Sequence, residues 1–242
     1  MIVDLIKNYN GECVIDHFGS YSFSNAYDQI EKFKKSFIER VQKNDRVLIY
    51  SDYTFQSISL LLSLSDLNIN IIPLVKTTES EYQEKLESVK PNWIFSFDNQ
   101  QNLLIEHVSS SSGADELFND VTQKGDTGLI LFSSGTTGKP KVMIQNLTIL
   151  ISSINVPRKQ KSLKFIILLM FDHIGGLNTL LNCIISGTPF VIPYDRNPSS
   201  IISLIEKHKV NILPTTPTFL NLMMMDESFS LTKLQSLKLI TY

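Results

Sequence analysis

The chain has 242 residues, of which 43% are hydrophobic and 19% charged, and its formal net charge is −2. This length and apolar content allow a large buried core, and the near-neutral charge provides no overall field for binding nucleic acid or an anionic membrane. The cysteines, Cys13 and Cys183, have no paired spacing, which favours the reducing cytoplasm. No signal peptide is apparent, and the longest apolar run, residues 165–171, is far shorter than the ~20 residues of a membrane helix.

The first half of the chain alternates amphipathic and apolar segments. Apolar residues recur every three or four positions between Tyr27 and Val41, which predicts a helix. Further along, the pattern predicts strands at residues 46–50, 69–75 and 93–97, and helices at residues 55–67 and 79–89. Continuous apolar strands that alternate with helices are typical of parallel βαβ units.

Residues 98–126 are polar and contain a run of four serines followed by a glycine. This composition predicts a surface loop or linker. It divides the chain into a first βα subdomain at about residues 1–98 and a second at about residues 127–242.

The most informative segment is residues 129–141, Leu-Ile-Leu-Phe-Ser-Ser-Gly-Thr-Thr-Gly-Lys-Pro-Lys, in which an apolar strand leads into glycines, hydroxyls and lysines. Glycines allow the backbone N–H groups to turn toward an anion, hydroxyls add donors and lysine adds positive charge. The segment predicts a triphosphate site at the carboxyl end of its strand, where open sheets place ligand crevices. The predicted phosphate-binding residues are Ser133, Ser134, Gly135, Thr136, Thr137, Gly138 and Lys139.

Other interpretations of this segment are weaker. Its spacing lacks the G-x-x-x-x-G-K-[ST], G-x-G-x-x-G and G-x-S-x-G patterns of P-loop, dinucleotide-binding and hydrolase sites. A flexible turn without a ligand is the remaining alternative, and the ordered position between a strand and a Pro-Lys pair disfavours it.

After this segment the alternation continues. Strands are predicted at residues 165–170, 188–192, 210–213 and 237–242, and helices at residues 177–185 and 198–208 and from Thr216 onward. The sequence therefore predicts an α/β fold of parallel sheets layered with helices. Because a buried parallel strand normally needs neighbours on both sides, the last predicted strand leads us to expect the first part of a longer chain.

Residues 129–141 resemble the signature loop of the adenylate-forming (AMP-binding) superfamily, which includes acyl-CoA synthetases, luciferases and the adenylation domains of peptide synthetases. The family pattern is a hydrophobic strand followed by [ST]-[ST]-G-T-T-G-x-P-K-G, and every position matches except the last, where Val142 replaces glycine. Residues 173–176 (His-Ile-Gly-Gly), 187–191 and 217–218 are similar to further family elements. The resemblance implies a partial N-terminal domain of an adenylate-forming enzyme, without its C-terminal domain.

The resemblance also implies a reaction in two steps. A carboxylate attacks the α-phosphate of ATP and releases pyrophosphate, and the acyl-adenylate then passes its acyl group to the thiol of coenzyme A or of a carrier protein. It implies Mg²⁺, with Ser133 as a ligand, and an acyl-substrate role for His173. A structural role for His173, bonded to a neighbouring backbone group, stays open. Apolar residues around His173 favour an acyl or aryl acid over a charged one.

Other family motifs are not found in these 242 residues, which contain neither Tyr-Gly-x-Thr-Glu nor Ser-Thr-Gly-Asp. No catalytic residue is therefore assigned, and we expect the chain alone to be inactive. We expect it to associate with the missing C-terminal part or with itself as a homo-oligomer, and not with nucleic acid. Two alternatives stay open, a non-catalytic nucleotide-binding or interaction module and an inert truncated fragment.

Overall fold

A computed structural model describes residues 2–108, 125–134, 140–155 and 163–242. The chain divides into two compact units. Unit 1 comprises Asp28–Ile154 and Phe171–Ile174, and unit 2 comprises Ile2–Tyr27, Asn155–Met170 and Gly175–Tyr242.

Helices and strands alternate along most of the described chain, so the predicted α/β class is confirmed. The described helices are α1 Ile2–Lys7, α2 Phe23–Phe37, α3 Phe55–Asp66, α4 Glu79–Val89, α5 Leu147–Ser153, α6 Ile174–Ser186, α7 Pro198–His208 and α8 Pro217–Met225. The described strands are β1 Glu12–Ile15, β2 Ser20–Ser22, β3 Arg46–Tyr50, β4 Asn70–Leu74, β5 Trp93–Phe97, β6 Leu103–His107, β7 Gly128–Ser134, β8 Pro140–Asn146, β9 Phe165–Ile166, β10 Phe190–Val191, β11 Ile212–Pro214 and β12 Leu239–Thr241. Within these ranges, each helix is too short or too polar to cross a membrane.

Unit 1 is built on a six-stranded sheet with the order β6-β5-β3-β4-β7-β8. Strands β5, β3, β4 and β7 are parallel, and the edge strands β6 and β8 are antiparallel to their neighbours. The central strands β3 and β4 are buried over almost their whole length. Their continuous apolar sequences suit this position because both faces of a central parallel strand are covered.

Unit 2 is built on a second six-stranded sheet with the order β12-β11-β9-β10-β1-β2, in which β2 alone is antiparallel to its neighbour. Three isoleucines of α7 pack on this sheet within its core, Ile201, Ile202 and Ile205. Cys13 and Cys183 are buried free thiols of this unit. Burial raises the pKa of both thiols, which makes them poor nucleophiles.

Part of the segment predicted as a loop is in fact strand β6, which pairs antiparallel with β5. The connecting turn is closed by Asp98, whose carboxylate accepts hydrogen bonds from the N–H groups of Gln100 and Asn102 at 2.8 Å. The sequence pattern did not reveal β6 because most of its side chains are exposed, so no buried face marks it. The rest of the predicted loop, residues 109–124, lies outside the described residues.

The sheets combine segments that are distant in sequence. Strands β7 and β8 follow the polar segment but lie in the sheet of β3–β6, whereas β1 and β2 lie in the sheet of β9–β12. This grouping differs from the linear division near residues 98 and 127, because parallel strands are joined by long crossovers and need not pair in chain order.

Candidate functional site

The four parallel strands of unit 1 end at one common edge of its sheet, which we call the carboxyl edge. The segments that leave it are residues 51–52 after β3, residues 75–77 after β4 and residues 133–134 at the end of β7. Open α/β sheets bind their ligands outside the carboxyl ends of the strands. The carboxyl edge is therefore where this topology places a site.

Strand β7 carries the first residues of the predicted phosphate loop to this edge. Ser133 pairs with Lys141 and Ser134 with Pro140 in the antiparallel ladder between β7 and β8. Ser133 and Ser134 therefore lie at the carboxyl end of a parallel strand, and their role in binding phosphate stays a prediction. The remaining predicted phosphate-binding residues, Gly135, Thr136, Thr137, Gly138 and Lys139, lie outside the described residues.

The start of β7 is held by a buried asparagine that sequence analysis did not identify. Asn70, 2% exposed on β4, accepts a hydrogen bond from the N–H of Gly128 at 2.9 Å. Its Nδ2 donates to the carbonyl of Asn44 at 3.2 Å. Ile71 pairs with Leu129 in the register of β4 and β7, and the Asn70 side chain adds a hydrogen bond between the two strands.

The turn that contains His173, residues 171–174, belongs to unit 1 and reaches the same edge. Asp172 Oδ2 accepts a hydrogen bond of 3.4 Å from the N–H of Val75, which directly follows β4. Phe171 is fully buried and packs edge-to-face on Tyr53 with 4.9 Å between the ring centroids. His173 itself is exposed. The structure therefore brings the predicted acyl-substrate residue and the end of β7 to one edge of one sheet.

The carboxyl group of Asp172 has a perturbed pKa at this edge. Burial raises the pKa of its carboxyl group, and the charge of Asp52 acts in the same direction. The Val75 hydrogen bond and the charge of Lys85 lower that pKa. A carboxyl group between these opposing influences is typical of a functional cleft. Nothing in the sequence pattern alone linked Asp172 to β4, 97 residues away.

Among the residues that the structure describes, the polar side chains of this edge do not form a metal cluster. Across the part of the chain that the structure describes, no group of three or more His, Cys, Asp or Glu residues could hold a metal ion. Ser133 offers a hydroxyl oxygen, a hard donor of the kind that Mg²⁺ accepts. One protein oxygen suits an ion whose other ligands are substrate phosphates and water.

A cavity of about 790 Å³ lies elsewhere, in unit 2, between the turn after β1, the segment after β10 and helix α7. Its aromatic lining includes His17. The centroid of the His17 ring lies 3.8 Å from that of the Phe18 ring and 4.6 Å from that of the Tyr194 ring. Ser133 and His173, two predicted site residues that the structure describes, do not line this cavity.

The family model for AMP-binding enzymes matches residues 7–242. The chain belongs to this family. The 2-succinylbenzoate–CoA ligase of Bacillus pumilus is 24% identical, and the match covers 83% of this chain and 44% of that protein. The ligase of the same name from Staphylococcus aureus strain MSSA476 is 22% identical over 94% of this chain and 54% of its own length. This AMP-binding chain therefore spans about half the length of these relatives.

Solved structures agree with the fold of this family member. The N-terminal subdomain of Klebsiella oxytoca NpsA, in complex with 3-hydroxyanthranilyl-AMSN, has a TM-score of 0.76 at 17% identity and covers 99% of this chain and 64% of its own. The Bacillus subtilis o-succinylbenzoate CoA synthetase, bound to its acyl-adenylate intermediate, has a TM-score of 0.73 at 18% identity, over 98% and 67% of the two chains. The architecture is therefore that of the N-terminal part of an adenylate-forming enzyme.

Proposed function

We propose that the chain is the ATP-phosphate-binding N-terminal part of an acid–thiol ligase that activates a carboxylic acid as an acyl-adenylate. The observation that carries the proposal is the position of β7, a parallel strand that ends in Ser133 and Ser134 at the carboxyl edge. The segment that follows it has the composition of a triphosphate cradle. Membership of the AMP-binding family supports the same reaction.

In this proposal the loop at residues 133–139 binds the β- and γ-phosphates of ATP through backbone N–H groups, hydroxyls and Lys139. Ser133 would be a protein ligand of Mg²⁺, and a bound Mg²⁺ would supply positive charge that stabilises the departing pyrophosphate. Nucleotidyl transfer requires alignment of the attacking carboxylate with the α-phosphate and stabilisation of developing charge, and little covalent chemistry from the protein. The loop is suited to stabilising the developing charge.

The acid is proposed to bind beside the turn at residues 171–174. The exposure of His173 supports the proposal that it contacts a substrate carboxylate. Buried Phe171 and Leu177 and the partly exposed Ile174 make the adjoining sequence apolar, which favours an acyl or aryl acid. The names of the relatives favour coenzyme A over a carrier protein as the thiol.

We further propose that this chain acts in the cytoplasm and together with a C-terminal part of the same protein. The relatives are about twice as long as the matched region. Several large apolar side chains of unit 2 are exposed, including Met225 at 82% and Leu231 at 78%. An exposed group of this kind favours association with another surface, from the same protein or a second copy.

Lys139→Ala is expected to weaken the binding of Mg·ATP by about tenfold, because a charge that faces the terminal phosphates is lost. The binding of AMP, which has no β- or γ-phosphate, is expected to change by less than about twofold for the same reason. Isothermal titration of the purified chain with each nucleotide measures both effects.

Lys43→Ala, which removes a lysine charge from the loop before β3, is the matched control and is expected to leave both affinities unchanged. Equal losses of Mg·ATP and AMP affinity in Lys139→Ala would contradict the role given to this lysine. Wild-type protein that binds no Mg·ATP at all would overturn the proposed phosphate site.

The 242-residue chain by itself is expected to show no acid-dependent exchange of pyrophosphate into ATP. Contacts to adenine, ribose and the reacting carboxylate must act together to align the reactants, and losing most of them removes the entropic advantage of the site. Exchange of labelled pyrophosphate, measured with a panel of aryl and acyl acids, tests this. Acid-dependent exchange would show that the chain is a complete catalyst, whereas tight ATP binding by a monomer without exchange would favour a nucleotide-binding module.

A further inference from the structure

Lys85 is a charged residue buried in unit 1, and the proposed reaction gives it no role. It lies on α4, and the residue is 7% exposed. Its Nζ lies 2.7 Å from Glu81 Oε1 and 5.2 Å from the centroid of the Phe132 ring. Phe132 immediately precedes Ser133 on β7, so the ammonium group ends against the last residues of that strand.

The two side chains of the Lys85–Glu81 ion pair differ in their exposure to solvent. Its side chain is 9% exposed, whereas the Glu81 side chain is 45% exposed. A buried ammonium costs free energy unless it is well compensated, and the charge of an exposed carboxylate is largely screened by water. An ordinary i,i+4 pair on a helix surface leaves both groups in solvent. Here the positive charge faces the protein interior and acts on the groups packed there.

A residue of the carboxyl edge also holds the Glu81 side chain in place. The hydroxyl of Thr77, in the segment that leaves β4, donates a short hydrogen bond to Glu81 Oε2. The hydrogen bonds from Lys85 and Thr77 lower the pKa of the Glu81 carboxyl group and keep it ionised. Lys85 thus contacts the end of β7 through Phe132 and is linked to the segment after β4 through Glu81 and Thr77.

The charge of Lys85 also reaches the turn that contains His173. It lowers the pKa of Asp172, against the effects of burial and of Asp52. An ionised carboxylate is a stronger hydrogen-bond acceptor than a neutral carboxyl group. The bond from Val75 N–H to Asp172, which ties the turn to the end of β4, therefore benefits from Lys85.

We infer that Lys85 is a positioning residue for both sides of the proposed site: it supports the end of β7 through Phe132 and acts on the turn that Asp172 ties to the end of β4. The inference rests on the proposed function. The buried charge of Lys85 would then support both the phosphate-binding side and the acid-binding side of the site.

The first test is the ionisation of Asp172 in the complete 242-residue chain, followed by NMR of ¹³C-labelled aspartate carboxyl groups. Lys85→Met keeps the length of the side chain and removes its charge, so the pKa of Asp172 is expected to rise. Lys85→Arg is expected to restore the wild-type value. Lys35→Met, an exposed lysine of α2, is the charge-matched control and is expected to have no effect.

The second test is titration with Mg·ATP, for which Lys85→Met is expected to lower the affinity about five- to tenfold and Lys85→Arg less than about twofold. Wild-type protein without Mg·ATP binding would contradict the proposed function, and the Asp172 titration would still decide the role of Lys85. An unchanged Asp172 pKa in a folded Lys85→Met variant would overturn the inference.

Phe132→Leu provides a second route if Lys85→Met lacks the wild-type circular dichroism spectrum. This variant removes the ring that Lys85 contacts and leaves the charge in place. It is expected to weaken Mg·ATP binding while the pKa of Asp172 stays unchanged. Wild-type affinity in Phe132→Leu would show that the end of β7 does not depend on this contact.

Discussion

Asn70→Leu is expected to lower the free energy of unfolding by about 2–4 kcal/mol, because it leaves the buried N–H of Gly128 and the carbonyl of Asn44 without their hydrogen-bond partner. Asn70 Oδ1 accepts from Gly128 N–H at 2.9 Å, and Asn70 Nδ2 donates to the carbonyl of Asn44 at 3.2 Å. Leucine has a similar volume but cannot satisfy either group. Urea unfolding, followed by the fluorescence of Trp93 in the same unit, measures the change.

Asn99→Leu is the matched control for this prediction. Asn99 is exposed in the turn between β5 and β6, so the same substitution there is expected to change the free energy of unfolding by less than about 0.5 kcal/mol. Because Asn70 links β4 to β7, its loss is also expected to weaken Mg·ATP binding. A loss of stability below about 1 kcal/mol in Asn70→Leu would show that water or a backbone shift replaces the two bonds.

Gly187→Ala is expected to destabilise unit 2 by about 2–4 kcal/mol, the sum of a backbone penalty and a steric one. Gly187 has φ +66° at the end of α6. There the N–H of Thr188 donates to the carbonyl of Cys183 at 2.9 Å, which closes the helix. A Cβ on residue 187 would lie 2.8 Å from Cδ1 of Tyr9.

Tyr9 has little freedom to move away. Its hydroxyl donates a hydrogen bond of 2.5 Å to the carbonyl of Ile185, and its ring packs edge-to-face on Phe23 with 5.2 Å between centroids. Displacing the ring is therefore expected to contribute a separate part of the destabilisation. Thermal unfolding followed by far-ultraviolet circular dichroism measures the loss of stability.

Gly125→Ala separates the two contributions to this loss. Gly125 has φ +70°, close to that of Gly187, but an added Cβ there meets no atom of the described residues within 4 Å. It is expected to cost only the backbone penalty of about 1 kcal/mol. Equal losses in the two variants would show that the Tyr9 ring moves aside freely, against the prediction.

The sequence by itself determined the class of fold, most of the helices and the segment that resembles the signature loop of the family. Period and composition report which residues are buried and where the chain turns, as in the apolar strand β3 and the glycine at the end of α6. The signature at residues 129–141 carried the resemblance to the family, which the match over residues 7–242 then confirmed.

Only the tertiary structure decided which strands are neighbours and which side chains meet at the carboxyl edge. The placement of β7 beside β4, the bond between Val75 and Asp172, and the burial of Lys85 beneath Phe132 all join residues far apart in the chain. Such contacts depend on how whole elements pack, and the local spacing of apolar residues does not predict them. For the same reason, the exposed strand β6 had no detectable signal in sequence, since its position depends on pairing with β5 and not on burial.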